Sequence, residues 1–200
     1  MGFLTEVPVT EIATDKAKIS VSPSFDIVLE IQKLFHESGL TEYDKLNAAL
    51  NMLVTNNWNL KLFTAEERVE LLNEIYRKCI NVKKRPSARK SPVPTLDFEE
   101  DGEYIYASFM SDYGIDLVEM QGVLSWRKFI ALFDGLSDES KMKRVMRIRS
   151  MDIPAYNGKN QKQIQEIMEL KSYYALPVRG DGEQKGLNSL FAALESMAQQ

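Results

Sequence analysis

The stretch from Tyr104 to Leu136, YIYASFMSDYGIDLVEMQGVLSWRKFIALFDGL, constrains the fold more than any other part of the chain. An amphipathic run ends at Gly114. Glycine reaches the left-handed backbone region without a Cβ penalty, so a helix C-cap is predicted there. Ile115, Leu117 and Val118 then resume apolar packing. Ser125 stands where an N-cap would open a helix at Trp126, and Gly135 stands where that helix would end. The pattern reads helix, tight turn, short segment, helix. It predicts a compact αα unit with its large side chains turned inward and no reactive group among them.

The flanks extend the helical reading. Residues 7 to 21 alternate loosely around a polar ATDKA, which predicts a short β-hairpin. An isolated hairpin is marginal in water, so it must lie on the helices or pair with another chain. Ser22-Pro23 resembles a cap followed by proline at the first helical position. Phe25, Val28, Leu29 and Phe35 follow at helical spacing with Ile27, Ile31 and Leu34 beside them, and Gly39 is the expected stop. Thr41 with Asp44, and Thr64 with Glu67, have capping-box spacing. The first predicts a helix with Tyr43, Leu46, Leu50, Leu53 and Val54 inward. The second predicts one with Val69, Leu72, Ile75, Tyr76 and Cys79 inward.

Composition then shifts. Asn81 to Pro94, NVKKRPSARKSPVP, is basic, proline-containing and free of acids, which marks a linker. Asp97 is the expected cap of the next helix and Ser137 of the one running to about Ser150, where Met142, Val145, Met146 and Arg149 fall on successive turns. After Pro154 a polar helix is predicted from about Gly158 to Ala175, carrying Ile164, Ile167, Met168 and Leu170. The last predicted helix, Leu187 to about Ala198, aligns Leu187, Leu190, Phe191 and Leu194. The expected architecture is mainly α, a bundle of about seven helices with an N-terminal hairpin. Its expected parts are residues 1–81, a linker at 82–96, and a C-terminal unit at 97–200.

The 200 residues carry 44% hydrophobic side chains, enough for a buried core, and a net charge of −4, which gives no general affinity for nucleic acid. No apolar stretch nears the ~18 residues of a membrane span. The N-terminus shows neither a secretory signal nor a myristoylation pattern, since Glu6 breaks the latter. One histidine, His36, and one cysteine, Cys79, supply neither a zinc set nor a nucleophile–base pair. The acidic run Asp97 to Glu103 lacks EF-hand spacing and reads as a solvated first helical turn. Phosphate-cradling glycine loops are absent, and Arg179-Gly180-Asp181 reads as a surface turn. No catalytic, cofactor-binding or metal-binding residue is therefore assigned.

Two basic groups invite a nucleic-acid alternative: Lys83, Lys84, Arg85, Arg89 and Lys90 in the linker, and Lys141, Lys143, Arg144, Arg147 and Arg149. Neither has interleaved aromatics, so a solvated linker and a solvated helix face are the plainer readings. The last helix is the best candidate for a partner-binding element, through Leu187, Leu190, Phe191 and Leu194.

One resemblance goes further. Phe109, Asp112, Tyr113, Gly114, Ile115, Asp116 and Leu117 match a pattern of the bacteriophage Gp15 family of long-tailed phages and prophages of Gram-positive hosts. Leu124, Trp126, Phe129, Leu132, Gly135 and Leu136 continue the match, followed by Ile148 and Arg149. ISVSPSFDIVLEIQKLF, YDKLNAALNMLV and ELKSYYALP are similar to outer parts of the same family. The resemblance implies a tail-morphogenesis protein encoded next to the tape-measure gene. Such proteins are understood as tail assembly chaperones that coat the helical tape measure, keep it soluble and recruit tube subunits. The implied partners are thus the tape-measure protein, the major tail tube protein and further copies of the chain. The implied location is the host cytoplasm, with the chain absent from the mature virion. A nucleic-acid-binding or structural virion component is the competing reading.

Overall fold

The computed structural model describes residues 3–5, 8–81 and 94–177. Within them lie two strands, β1 (Glu11–Ala13) and β2 (Lys18–Ser20), and seven α-helices. The helices are α1 (Phe25–His36), α2 (Glu42–Leu53), α3 (Ala65–Ile75), α4 (Gly102–Tyr113), α5 (Trp126–Asp134), α6 (Lys141–Ser150) and α7 (Gln161–Tyr173). A 3₁₀ segment, Asn57–Leu62, precedes α3, and a π turn, Tyr76–Ile80, extends it. The protein is mainly helical with an N-terminal hairpin, as its apolar periodicity predicts. Residues 82–93 of the linker expected at 82–96 and the predicted last helix lie outside the described residues.

The chain forms two compact units. The first joins the N-terminal part of the chain to Gln121–Ala131, and the second combines the segment up to Met120 with the chain from Leu132 onward. Gln121–Ala131 follows the linker in sequence and packs with the N-terminal elements. The αα stretch expected as one unit is thus divided inside α5.

In the first unit the hairpin is antiparallel, with Ile12 opposite Ile19. Both isoleucines are fully buried, while Glu11 and Ala13 are exposed, so one face of the hairpin rests on the core. Thr14 closes the turn by donating from Oγ1 to the Ala17 carbonyl at 2.7 Å. The outer edge of β2 is covered. Asn56 accepts from Ser20 N at 2.9 Å and donates to the Lys18 carbonyl at 2.8 Å, and Val21 bridges Val54. An exposed strand edge is thereby removed.

Both capping boxes form. Thr41 and Asp44 cap α2, and Thr64 and Glu67 cap α3. Leu46, Leu50, Leu53, Val54, Val69, Leu72, Ile75 and Cys79 are buried as their spacing predicts. Each large aliphatic side chain so buried contributes about 1.5–3 kcal/mol of transfer free energy. Tyr43, in the first turn of α2 at the end of the same stripe, is exposed instead.

The start of α1 differs from expectation. Ser24, not Ser22, is the N-cap residue, and the helix begins at Phe25. Pro23 is held outside the helix because its carbonyl accepts from Trp126 N at 2.9 Å, while Phe25 N donates to Leu124 O at 2.9 Å. The chain end of α1 also comes earlier than Gly39: the helix closes at His36 with Glu37 extended.

The second unit is organised by side chains of α4. Asp97 accepts from Glu99 N and Glu100 N and so caps a turn, and α4 itself begins after Asp101. Gly114 ends α4 at φ +66°, with its N–H on the Met110 carbonyl at 3.0 Å, the predicted left-handed cap. Buried Ser108 donates to the Tyr104 carbonyl and accepts from Met142 N at 2.9 Å, which ties α4 to the start of α6. Ser140, not Ser137, caps α6. Ser137 lies before that turn and donates its N–H to Asp112 Oδ2 at 2.8 Å.

Candidate functional site

The signature residues are mostly fold determinants. Trp126 is 3% exposed and stacks on Phe129 at a centroid separation of 5.7 Å, and Phe129 stacks on Phe25 at 4.9 Å. Leu117, Phe129 and Leu136 are buried, and Leu132 and Ile115 are half-buried. Asp116 shapes the turn after α4: Oδ1 accepts from Val118 N and Glu119 N, and Oδ2 accepts from the Tyr106 hydroxyl at 3.1 Å. That bond pushes the Tyr106 phenol above its ordinary range, with partial desolvation adding to the effect. Tyr113 packs edge-on to Phe109 and donates to the Leu132 carbonyl at 2.9 Å. Gly135 lies in the turn directly after α5.

His36 is exposed at the end of α1. Cys79 is a buried free thiol, and burial pushes it up to about 11 from 9.0. A thiol so shifted carries almost no thiolate near neutral pH, so it is a poor nucleophile or metal ligand. Among the described residues no group of three or more His, Cys, Asp or Glu could hold a metal ion. Likewise among the described residues, no helix is long and apolar enough to cross a membrane.

Most of the basic cluster on α6 is a solvated face, with Lys141, Arg144 and Arg147 exposed, and Arg149 is the exception. Arg149 is 6% exposed and grips buried Asp101 with two charge-assisted bonds, Nη1 to Oδ2 at 2.6 Å and Nη2 to Oδ1 at 2.7 Å. Its Nε donates to the Tyr174 carbonyl at 2.6 Å and Nη1 also to the Thr95 carbonyl at 3.1 Å. Lys141 donates to the Tyr174 hydroxyl, Lys143 to the Asp134 carbonyl and Arg147 to the Asp138 carbonyl. Four of the five basic groups thus bond within the protein, but only Arg149 is buried. The acidic run is reread in the same way: Asp101 is the buried partner of Arg149 and not part of a solvated turn. Spacing could not reveal this pair, because its members lie 48 residues apart.

The exposed apolar surface lies elsewhere. α7 has no buried residue. Ile164, Ile167 and Lys171, with Tyr174 at the C-cap, form its half-buried stripe, and Met168, Leu170 and Tyr173 are exposed, Tyr173 to 77%. Lys171 fastens the helix by donating to the Arg149 carbonyl at 2.6 Å and the Met151 carbonyl at 2.8 Å. Glu166, Glu169, Leu170 and Tyr173 line a shallow groove. Periodicity predicts α7 and its apolar positions but assigns them no role. The partner-binding residues expected at Leu187, Leu190, Phe191 and Leu194 lie outside the described residues.

A family model described as Bacteriophage Gp15 protein matches residues 4–176. The match covers most of the chain, and the chain belongs to that family, which points to a phage structural or morphogenesis protein. No curated protein and no solved structure matches it significantly.

Proposed function

We propose that the chain is a tail assembly chaperone: it binds the tape-measure protein of a long-tailed phage, keeps it soluble and supports assembly of the tail tube around it. The role is non-enzymatic, is exercised in the host cytoplasm, and leaves the chain out of the finished virion. Membership of the phage family supports the reading most directly. The physical case adds to it. A tape measure is long and helical, and its bare apolar faces would aggregate. A binder for it needs many copies, each offering an apolar helix surface of modest affinity. α7, fastened at one end and with Met168, Leu170 and Tyr173 exposed, supports this reading.

The proposal is tested by silencing the gene in its phage and by mass spectrometry of purified particles. The expected outcome is tailless heads on silencing and no peptides of this chain in intact virions. Stoichiometric recovery of the chain from virions would favour the structural-component alternative.

A further inference from the structure

α7 is a helix of 13 residues, a length that is marginal for an isolated helix in water. It is supported by packing against α6 and by the bonds that Lys171 donates. The stripe left outward is not neutral. Glu166, Glu169, Leu170 and Tyr173 stand at i, i+3, i+4 and i+7, so they share one face, and all four line the same groove. The apolar pair therefore comes with two carboxylates on the same face. Lys171, the cation nearest to them in α7 on the C-terminal side, is drawn away to the carbonyls of Arg149 and Met151. Lys162 approaches Glu166 only at 3.9 Å, in an exposed pair worth little.

Charge decides between the possible occupants. A second copy docked two-fold on this face would bring the Glu166–Glu169 pair of each protomer into one interface, which is unfavourable. The amphipathic run Leu187 to Ala198 of this chain contains Glu195 and no lysine or arginine. We infer that the Glu166–Glu169–Leu170–Tyr173 face of α7 is the docking surface for a partner's amphipathic helix whose apolar stripe is flanked by lysine or arginine. Leu170 and Tyr173 meet the partner's apolar stripe, and the two glutamates select its basic flanks. The identity of that partner as the tape-measure protein rests on the function proposed above, whereas the chemistry of the surface does not.

The test uses the full chain and two synthetic helical peptides with the same leucine stripe, one flanked by lysines and one by glutamates. The lysine-flanked peptide is expected to bind about fivefold more tightly or better. Glu166→Lys/Glu169→Lys should reverse the preference, and Leu170→Ser/Tyr173→Ser should abolish binding of both. All four side chains lie on the outward face, so the circular dichroism melt should stay unchanged and report that the variants fold. Equal binding of both peptides, binding of neither, or binding indifferent to the Leu170/Tyr173 variant would overturn the inference. Self-association lost specifically in that variant would overturn it too, in favour of a second copy. A tape measure kept soluble by the Leu170/Tyr173 variant refutes this surface and leaves the chaperone role standing. Peptide discrimination without any effect on the tape measure refutes the role and leaves the surface standing.

Discussion

Arg149 and Asp101 form a bidentate ion pair inside the second unit, with both side chains almost wholly removed from solvent. The pair joins the N-cap of α4 to the end of α6, and two further guanidinium N–H groups reach the carbonyls of Tyr174 and Thr95. Removing one partner strands the other charge in a buried site. Arg149→Met is expected to cost about 3–5 kcal/mol, and Asp101→Asn to be strongly destabilising as well. The double variant should cost less than the sum, as measured by urea unfolding. Strict additivity would mean that the two groups do not depend on each other.

Trp126 provides the corresponding test for the first unit. Its indole stacks on Phe129 and is all but inaccessible. Trp126→Ala should lose about 3–5 kcal/mol in chemical denaturation. An unchanged midpoint would place the indole on the surface, where it would act as a binding anchor.

These two residues also show what could be read from sequence. The capping boxes Thr41/Asp44 and Thr64/Glu67 were legible because a cap is a contact across three residues. Gly114 and the burial of the α2 and α3 stripes were legible for the same local reason. Ser22 and Ser137 misled because a second serine, Ser24 or Ser140, stands close by and takes the cap, and Tyr43 misled because no other part of the chain covers it enough to bury it. Trp126 N holds Pro23, and Asp112 holds the N–H of Ser137. Arg149 read as one more cation on a basic helix, since the acid that buries it comes from another helix. The outward face of α7 was visible only as scattered apolar positions. Which side of a helix remains uncovered is a property of the packing, not of its own periodicity.

Gly114 separates backbone from packing effects. It adopts φ +66°, and an added Cβ would meet nothing within 4 Å. Gly114→Ala should therefore cost about 1 kcal/mol through the left-handed conformation alone. Gly114→Asn should cost less, because asparagine tolerates that region. Thermal melts of the two variants give the comparison, and a much larger loss for alanine would indicate a steric clash.

Cys79 predicts a pH effect of definite sign. Burial raises the folded thiol to about 11 from 9.0, so the unfolded chain gives up its proton first. The resulting stability is fully present below pH 9 and is lost as the pH rises from 9 through about 11. Cys79→Ala should flatten that part of the stability profile. In the native wild-type protein, alkylation by iodoacetamide should be much slower than in urea. Equal rates would show an accessible thiolate.

The chaperone reading stands or falls most directly on co-expression with the tape-measure protein of the same phage. The measurement is the fraction of tape measure in the soluble lysate, followed by size-exclusion chromatography of what is soluble. The account predicts that the tape measure moves from pellet to supernatant only when this chain is present, and that the two elute together with several copies of the chain on each tape measure. A tape measure that stays insoluble, or elutes without the chain, would contradict it.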